Sequence, residues 1–113
     1  MRGYKVVRNY DGVRRSFTMR MHATTYFEYK YAFPRKGFGA LAVFDTLENA
    51  TDFLVLHTNY DSDAEIWEVD FIKSKGKYLR NRVQRLPLSE LPEGTILASK
   101  VKLVRLVRRV ALW

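Results

Sequence analysis

Two runs of basic side chains are the part of this sequence whose chemistry is easiest to name. Residues 73–85 contain six Lys and Arg, residues 100–109 contain five, and neither run contains an acid. A cation that neutralises a phosphate group releases the counterions held there, so such runs favour binding to nucleic acid. The candidate nucleic-acid-binding residues are Lys73, Lys75, Lys77, Arg80, Arg82, Arg85, Arg105, Arg108 and Arg109.

Charge is distributed unevenly along the chain. Residues 45–70 hold eight acids and no Lys or Arg, whereas the rest holds all 20 basic residues and four acids, for a net charge of +8. A purely structural interpretation of this distribution is that acids on one strand pair with basic residues on neighbouring strands. An alternative is a homo-oligomer, in which the acidic segment of one copy meets the basic tail of another and Trp113 anchors the interface.

The sequence gives little support for a metal site. It has no Cys, and neither His22 nor His57 has a second His at ligand spacing. Oxygen-bearing side chains stand at every second position, as in a calcium loop, at Asn59, Asp61, Asp63 and Glu65. Ala64 replaces the Gly that makes the sharp turn of such a loop, and a polar turn before a strand is the ordinary alternative. We therefore predict no metal and no cofactor.

Three carboxylates, Glu28, Glu68 and Asp70, would supply a general acid and base only if the fold brought them together. The sequence contains no Gly-rich phosphate loop and no Ser nucleophile between glycines. The sequence thus gives no reason to expect an enzyme. We predict a non-catalytic binding or interaction module, with nucleic acid as its first ligand class and self-association as the alternative.

One helix and one strand carry the clearest local signals. Asp45 at the N-cap and Glu48 three residues later form a capping-box pattern, which predicts a helix over about 45–57. Its apolar face is Leu47, Ala50, Phe53 and Leu54. Residues 65–72 alternate between apolar and acidic side chains, as a half-solvated strand does.

The rest of the chain predicts further strands. These cover residues 3–8, 13–20, 24–33, 40–44 and 95–103, and Asp11-Gly12 favours a tight turn between the first two. Residues 78–88 are read as a loop or short irregular helix, and residues 104–113 fit either a helix or a continuing strand. Together these elements predict a single α+β domain over residues 1–113. It has a mostly antiparallel sheet of five or six strands, with the helix of about 45–57 packed on one face.

A short segment resembles the ribonucleoprotein signature of the RNA-recognition motif. Lys36-Gly37-Phe38-Gly39 leads into the apolar run 40–44, and a helix and a strand follow in the same order as in that family. The resemblance implies that Phe38 and Phe44 stack on bases and that Lys36 contacts phosphate. Ala40 stands where the family has an aromatic residue, and a loop glycine pair entering a core strand explains the same residues.

A second resemblance, to small uncharacterised microbial or viral domains, involves segments 4–8, 43–50, 66–69 and 91–103. It implies a capped helix between strands and no activity. The length of 113 residues fits one domain. The first residues are charged where a signal peptide needs about 7–15 apolar residues, and no stretch reaches the ~18 of a membrane span. We expect a cytoplasmic protein.

Overall fold

The computed structural model describes residues 1–16, 24–34, 40–57, 63–76, 78–80 and 85–109, which form nine strands and one α-helix. The first strands are β1 (Arg2–Tyr10), β2 (Val13–Ser16), β3 (Thr25–Tyr26), β4 (Tyr31–Ala32) and β5 (Leu41–Phe44). They are followed by α1 (Leu47–His57), β6 (Ala64–Lys73), β7 (Tyr78–Arg80), β8 (Arg85–Pro87) and β9 (Thr95–Arg109). A single 3-10 turn, Leu88–Glu90, precedes β9.

Four strands close on one another as a ring. β6 pairs with β1 on one side and with β9 on the other. β5 pairs with β9 and meets β1 at the pair Tyr4 and Phe44, which completes the ring. β2 and β3 extend the sheet beyond β1, and β4 lies beside β9. All these strand pairs are antiparallel, and Glu28 and Leu103 add one parallel bridge.

Alternation along the strands separates two apolar clusters. In β1, Val7 belongs to one cluster and Val6 to the other, because successive side chains point to opposite faces of a strand. The larger cluster contains the buried residues Val7, Tyr26, Ala32, Leu41, Val43, Trp67, Val69, Phe71, Ala98, Val101 and Leu103. The smaller one contains Val6, Phe44, Ala50, Leu54, Ala64 and Ile66, and it holds the helix against the sheet.

The helix packs through the face that its sequence predicts. Ala50 and Leu54 are fully buried, and Leu47 and Phe53 pack against the same cluster. Its cap differs from the prediction, because the main-chain N–H of Asn49 donates to Thr46 Oγ1 at 3.1 Å. Thr46 is therefore the N-cap. Asp45 instead accepts a hydrogen bond from the side-chain amide of Asn49 at 2.8 Å.

The described residues confirm a mostly antiparallel α+β fold, but the predicted sheet of five or six strands is too small. The main sheet has seven strands, and β7 and β8 pair separately. The predicted strand over 24–33 is interrupted at Tyr29, whose φ of 60° is not compatible with a strand, so it becomes β3 and β4. The segment read as a loop, 78–88, contains the hairpin strands β7 and β8.

Two further local predictions can be compared with the structure. The Asp11-Gly12 turn is confirmed, with φ of 52° and 86°, the positive values that a tight hairpin turn uses. The ambiguity over 104–113 is resolved in favour of a strand as far as Arg109.

Phe44, which the resemblance to the RNA-recognition motif implies as a base-stacking residue, is buried beneath the helix, and its ring centre lies 5.2 Å from that of Phe53. Residues 36–38 of that motif lie outside the described residues.

Candidate nucleic-acid interface

Arginine side chains on the outer face of the ring are paired with the acids of β6. Arg2 contacts Glu68 at 3.0 Å and Asp70 at 2.7 Å, and Arg105 contacts Glu68 at 2.8 Å. The hydrogen bond from Arg105 is the main reason that the pKa of Glu68 lies below its ordinary value. Strand β6 thus lies between two basic neighbours, β1 and β9, and its outward carboxylates neutralise them.

A second ion-pair cluster surrounds Glu65, whose carboxylate is only 3% exposed. Its oxygens accept hydrogen bonds from Arg14 Nε at 3.0 Å, Trp67 Nε1 at 3.0 Å and Asn9 Nδ2 at 3.2 Å. Arg109 Nε lies 3.2 Å away. Burial alone would raise the pKa of Glu65, but these hydrogen bonds outweigh it and lower the pKa. An open depression of about 360 Å³ adjoins this cluster, and Glu65, one of the three acids in its lining, is engaged by these hydrogen bonds.

Four lysine side chains, unlike these arginines, form no ion pair with a carboxylate in the described part of the chain. Lys73 and Lys75 are exposed at the end of β6, and Lys100 and Lys102 project from β9. The strand register places Ile72 opposite Lys100 and Lys73 opposite Ala98, so the two pairs lie at the same edge of the ring. Among the described residues, none of the four forms an ion pair with a carboxylate. We call Lys73, Lys75, Lys100 and Lys102 the lysine surface.

Next to the lysine surface lies a segment of exposed aromatic side chains. Phe27, Tyr29, Tyr31 and Phe33 are 64%, 68%, 37% and 60% exposed. Tyr31 pairs with Lys102 across β4 and β9. The ammonium groups of Lys100 and Lys102 lie 4.2 and 4.8 Å from the centre of the Tyr31 ring, within the range of cation–π attraction. We call residues 27–33 the aromatic segment.

The predicted basic residues fall into three groups. Lys73 and Lys75 are exposed and belong to the lysine surface, whereas Arg105 and Arg109 are engaged by Glu68 and Glu65. Arg108 is exposed and also has an interaction within the chain. Arg80 and Arg85 face each other across the β7–β8 hairpin in main-chain register. Lys77, Arg82 and Trp113 lie outside the described residues.

The contacts within the chain also bear on the other predicted chemistries. Glu28 contacts Arg14 at 3.4 Å, whereas Glu68 and Asp70 share Arg2, so these carboxylates are held in separate ion-pair clusters. In the part of the chain that the structure describes, no group of three or more His, Asp or Glu could hold a metal ion. In the calcium-like pattern, the carboxylate oxygens of Glu65 already accept hydrogen bonds from other side chains. Asn59 and Asp61 lie outside the described residues.

Sequence reasoning missed Lys100, Lys102 and the aromatic segment as parts of one surface. The aromatic density of 24–33 predicts a strand, and the usual expectation is that its rings enter the core. In the structure Tyr26 and Ala32 enter the core instead, and the rings at 27, 29, 31 and 33 remain outside. The only signal in the sequence was the insertion of the charged residues Glu28 and Lys30 between those rings.

None of the helices in the described part of the chain has the length and apolar character needed to cross a membrane. Comparison of the chain with protein-family models, with curated proteins and with solved structures finds no match in any of the three. The features of this chain that bear on function are therefore the lysine surface, the aromatic segment and the ion pairs beside them.

Proposed function

We propose that this protein is a non-catalytic module that binds nucleic acid through the lysine surface. The observation that carries the proposal is that its arginines and its lysines differ in whether a carboxylate of the same chain pairs with them. The arginines Arg2, Arg14, Arg105 and Arg109 are neutralised by carboxylates of the same chain, while the four lysines have no such partner in the described residues. Lys73 and Lys75 are exposed and Lys100 and Lys102 are partly exposed, so ammonium groups without a carboxylate partner remain available for a phosphate backbone to neutralise.

The placement of the lysines supports the same ligand. Residue 73 ends β6, residue 75 lies two positions beyond it, and residues 100 and 102 lie on β9. The main-chain N–H of Ser74 donates to Leu97 O at 2.8 Å. This hydrogen bond ties the end of β6 to β9. Lys73, Lys100 and Lys102 are therefore carried by two hydrogen-bonded strands, and the sheet sets the spacing of their main-chain positions. A polyanion with regularly spaced charges is the ligand class that fits such an array.

Self-association through opposite charges has less support. That alternative needs the acidic segment of one copy to be available to the basic residues of another. Glu65, Glu68 and Asp70 are instead engaged by arginines of their own chain. A pair already formed within a chain gains little by exchanging its partner. Sedimentation of the protein at two salt concentrations distinguishes the two hypotheses, because a charge-driven dimer dissociates as salt is added.

Fluorescence anisotropy with labelled single- and double-stranded oligonucleotides tests the proposal directly. If the four lysines each neutralise one phosphate, the affinity should fall between about 50- and 150-fold from ~50 to ~200 mM salt. Absence of binding to both oligonucleotides at ~50 mM salt would overturn the proposal.

A pair of matched variants locates the site. The double substitution Lys100→Gln with Lys102→Gln removes two cations of the lysine surface, and Arg2→Gln with Arg105→Gln removes two cations that are ion-paired. The net charge changes equally in both. We expect the lysine variant to lose about tenfold or more in affinity at ~50 mM salt and the arginine variant to lose much less. Equal losses would show that binding does not depend on the lysine surface in particular.

A further inference from the structure

The aromatic segment carries an unusual amount of exposed apolar surface for its length. Four of its seven residues are Phe or Tyr, and each keeps more than a third of its surface in contact with solvent. Burying one such ring would stabilise the fold by about 1.5–3 kcal/mol. Exposed apolar surface of this extent is typical of a binding surface.

The main chain of the aromatic segment is fixed to the ring of strands. Tyr29 N donates to Leu103 O at 2.9 Å, and Lys30 N donates to Phe27 O at 3.2 Å. Tyr29 also holds a φ of 60°, which costs about 1 kcal/mol or more in a residue other than Gly. Fixed, outward rings lose little conformational entropy when a ligand covers them.

Two cations lie close to the Tyr31 ring. The ring lies within 5 Å of the ammonium groups of Lys100 and Lys102, at 4.2 and 4.8 Å. Ile72, opposite Lys100 in the strand register, is 47% exposed and extends the apolar surface toward Lys73. A ligand that covers this surface must therefore present flat apolar faces and negative charges within a few ångströms of each other.

We infer that the ligand of the lysine surface is a single-stranded nucleic acid, whose unpaired bases stack on the aromatic segment while its phosphates contact the lysines. This inference rests on the proposed function and names its substrate class. An unpaired strand exposes the faces of its bases, and stacking on aromatic side chains recognises them without regard to sequence. A duplex hides those faces between neighbouring base pairs, so it would engage the lysines and leave the rings uncovered.

The experiment compares three labelled ligands of the same length with the full chain: a single strand, the duplex of that strand, and a single strand in which the bases are removed and the phosphates kept. Binding is followed by fluorescence anisotropy at ~50 mM salt. We expect the single strand to bind about tenfold or more tightly than either of the others. The stacking of one base on an aromatic ring raises the affinity by about that factor.

Two double variants assign that preference to the rings. Tyr31→Leu with Phe33→Leu removes two aromatic faces but keeps apolar side chains at both positions. The control, Val55→Ala with Leu56→Ala, removes two exposed apolar side chains of the helix, which are 61% and 74% exposed. We expect the first variant to lose about tenfold or more for the single strand and much less for the base-free strand, because Lys100 and Lys102 keep their charge although they lose contact with the Tyr31 ring. The control should bind all three ligands as the native chain does.

The outcomes separate the inference from the proposed function. Equal affinity for single strand, duplex and base-free strand would overturn the inference, and binding that still depended on Lys100 and Lys102 would leave the proposed function standing. Failure of all three ligands to bind would overturn both. A native dimer that becomes monomeric in the Tyr31→Leu, Phe33→Leu variant, with no change in affinity for the single strand, would instead assign the aromatic segment to self-association. Thermal unfolding of each variant verifies that it is folded.

Discussion

The ammonium group of Lys5 donates a hydrogen bond to the main-chain carbonyl of Ala42, and this contact joins two strands that are paired at a single position. Lys5 is 6% exposed and its ammonium lies 5.6 Å from the centre of the Tyr26 ring. Beyond the pair Tyr4 and Phe44, the main chains of β1 and β5 no longer form a ladder. The Lys5 side chain therefore closes the ring of strands where backbone hydrogen bonds do not.

Because Lys5 is buried, the free energy of unfolding should vary with pH in the alkaline range. Desolvation lowers the pKa of Lys5 from 10.5 to about 8. Between these two values the unfolded chain binds a proton that the folded chain has released, so the free energy of unfolding should rise with pH by up to about 3 kcal/mol. Chemical denaturation across this range measures the rise. The Lys5→Met variant should lack it, and a Lys73→Met control should keep it. An equal slope in the Lys5→Met variant would contradict the assignment.

Glu65 is the carboxylate on which one ion-pair cluster depends. The substitution Glu65→Gln keeps the size of the side chain but removes the charge that Arg14 and Arg109 face, and we expect the free energy of unfolding to fall by about 3 kcal/mol. Denaturant unfolding near neutral pH measures it. Glu68→Gln is the matched control on the outer face, where solvent screens the lost pair and the decrease should be smaller. A larger loss for Glu68→Gln would show that the buried cluster is not the stronger one.

Local periodicity was sufficient to predict some of this fold. The helix face of Ala50 and Leu54 and the alternation of β6 depend on neighbouring residues alone, and both are confirmed. The number of strands was not predictable in the same way. Tyr29 adopts a positive φ where its N–H donates to Leu103 O, a partner that is distant in sequence. The closure of the ring depends likewise on pairs between distant strands.

The candidate interface was predicted only in part for the same reason. Lys73 and Lys75 stand in a basic run with no acid, and the sequence marks them. Arg105 stands in the other run, and its pairing with Glu68 depends on the register between β6 and β9. A one-residue change of register would move both side chains to other neighbours. Charge counting therefore found the cations but could not tell the paired arginines from the unpaired lysines.

Gly94 lies where the chain meets the helix N-terminus. Its φ is 80°, and a Cβ there would collide with the side chains of Asn49 and Asp45. Gly12 has a similar φ of 86° with nothing near its missing Cβ. Gly12→Ala should therefore cost only the conformational term of about 1 kcal/mol, whereas Gly94→Ala should cost clearly more. Denaturant unfolding of the two variants compares them, and equal losses would mean that the side chains of Asn49 and Asp45 move aside without cost.

If the lysine surface binds a single strand as we propose, the salt dependence of binding counts the phosphates that it contacts. For a single strand the logarithm of the affinity falls with the logarithm of salt concentration by about 0.7 for each neutralised phosphate. Removing Lys100 and Lys102 together should thus reduce the slope by about 1.4, whereas removing the ion-paired Arg2 and Arg105 should leave it nearly unchanged, since Glu68 and Asp70 already neutralise those cations. Anisotropy titrations at four or more salt concentrations, about 50 to 300 mM, measure both slopes. A slope that fell equally in both variants would show that the carboxylates of β6 release their arginines to the nucleic acid, and the interface would then include the whole outer face of the ring.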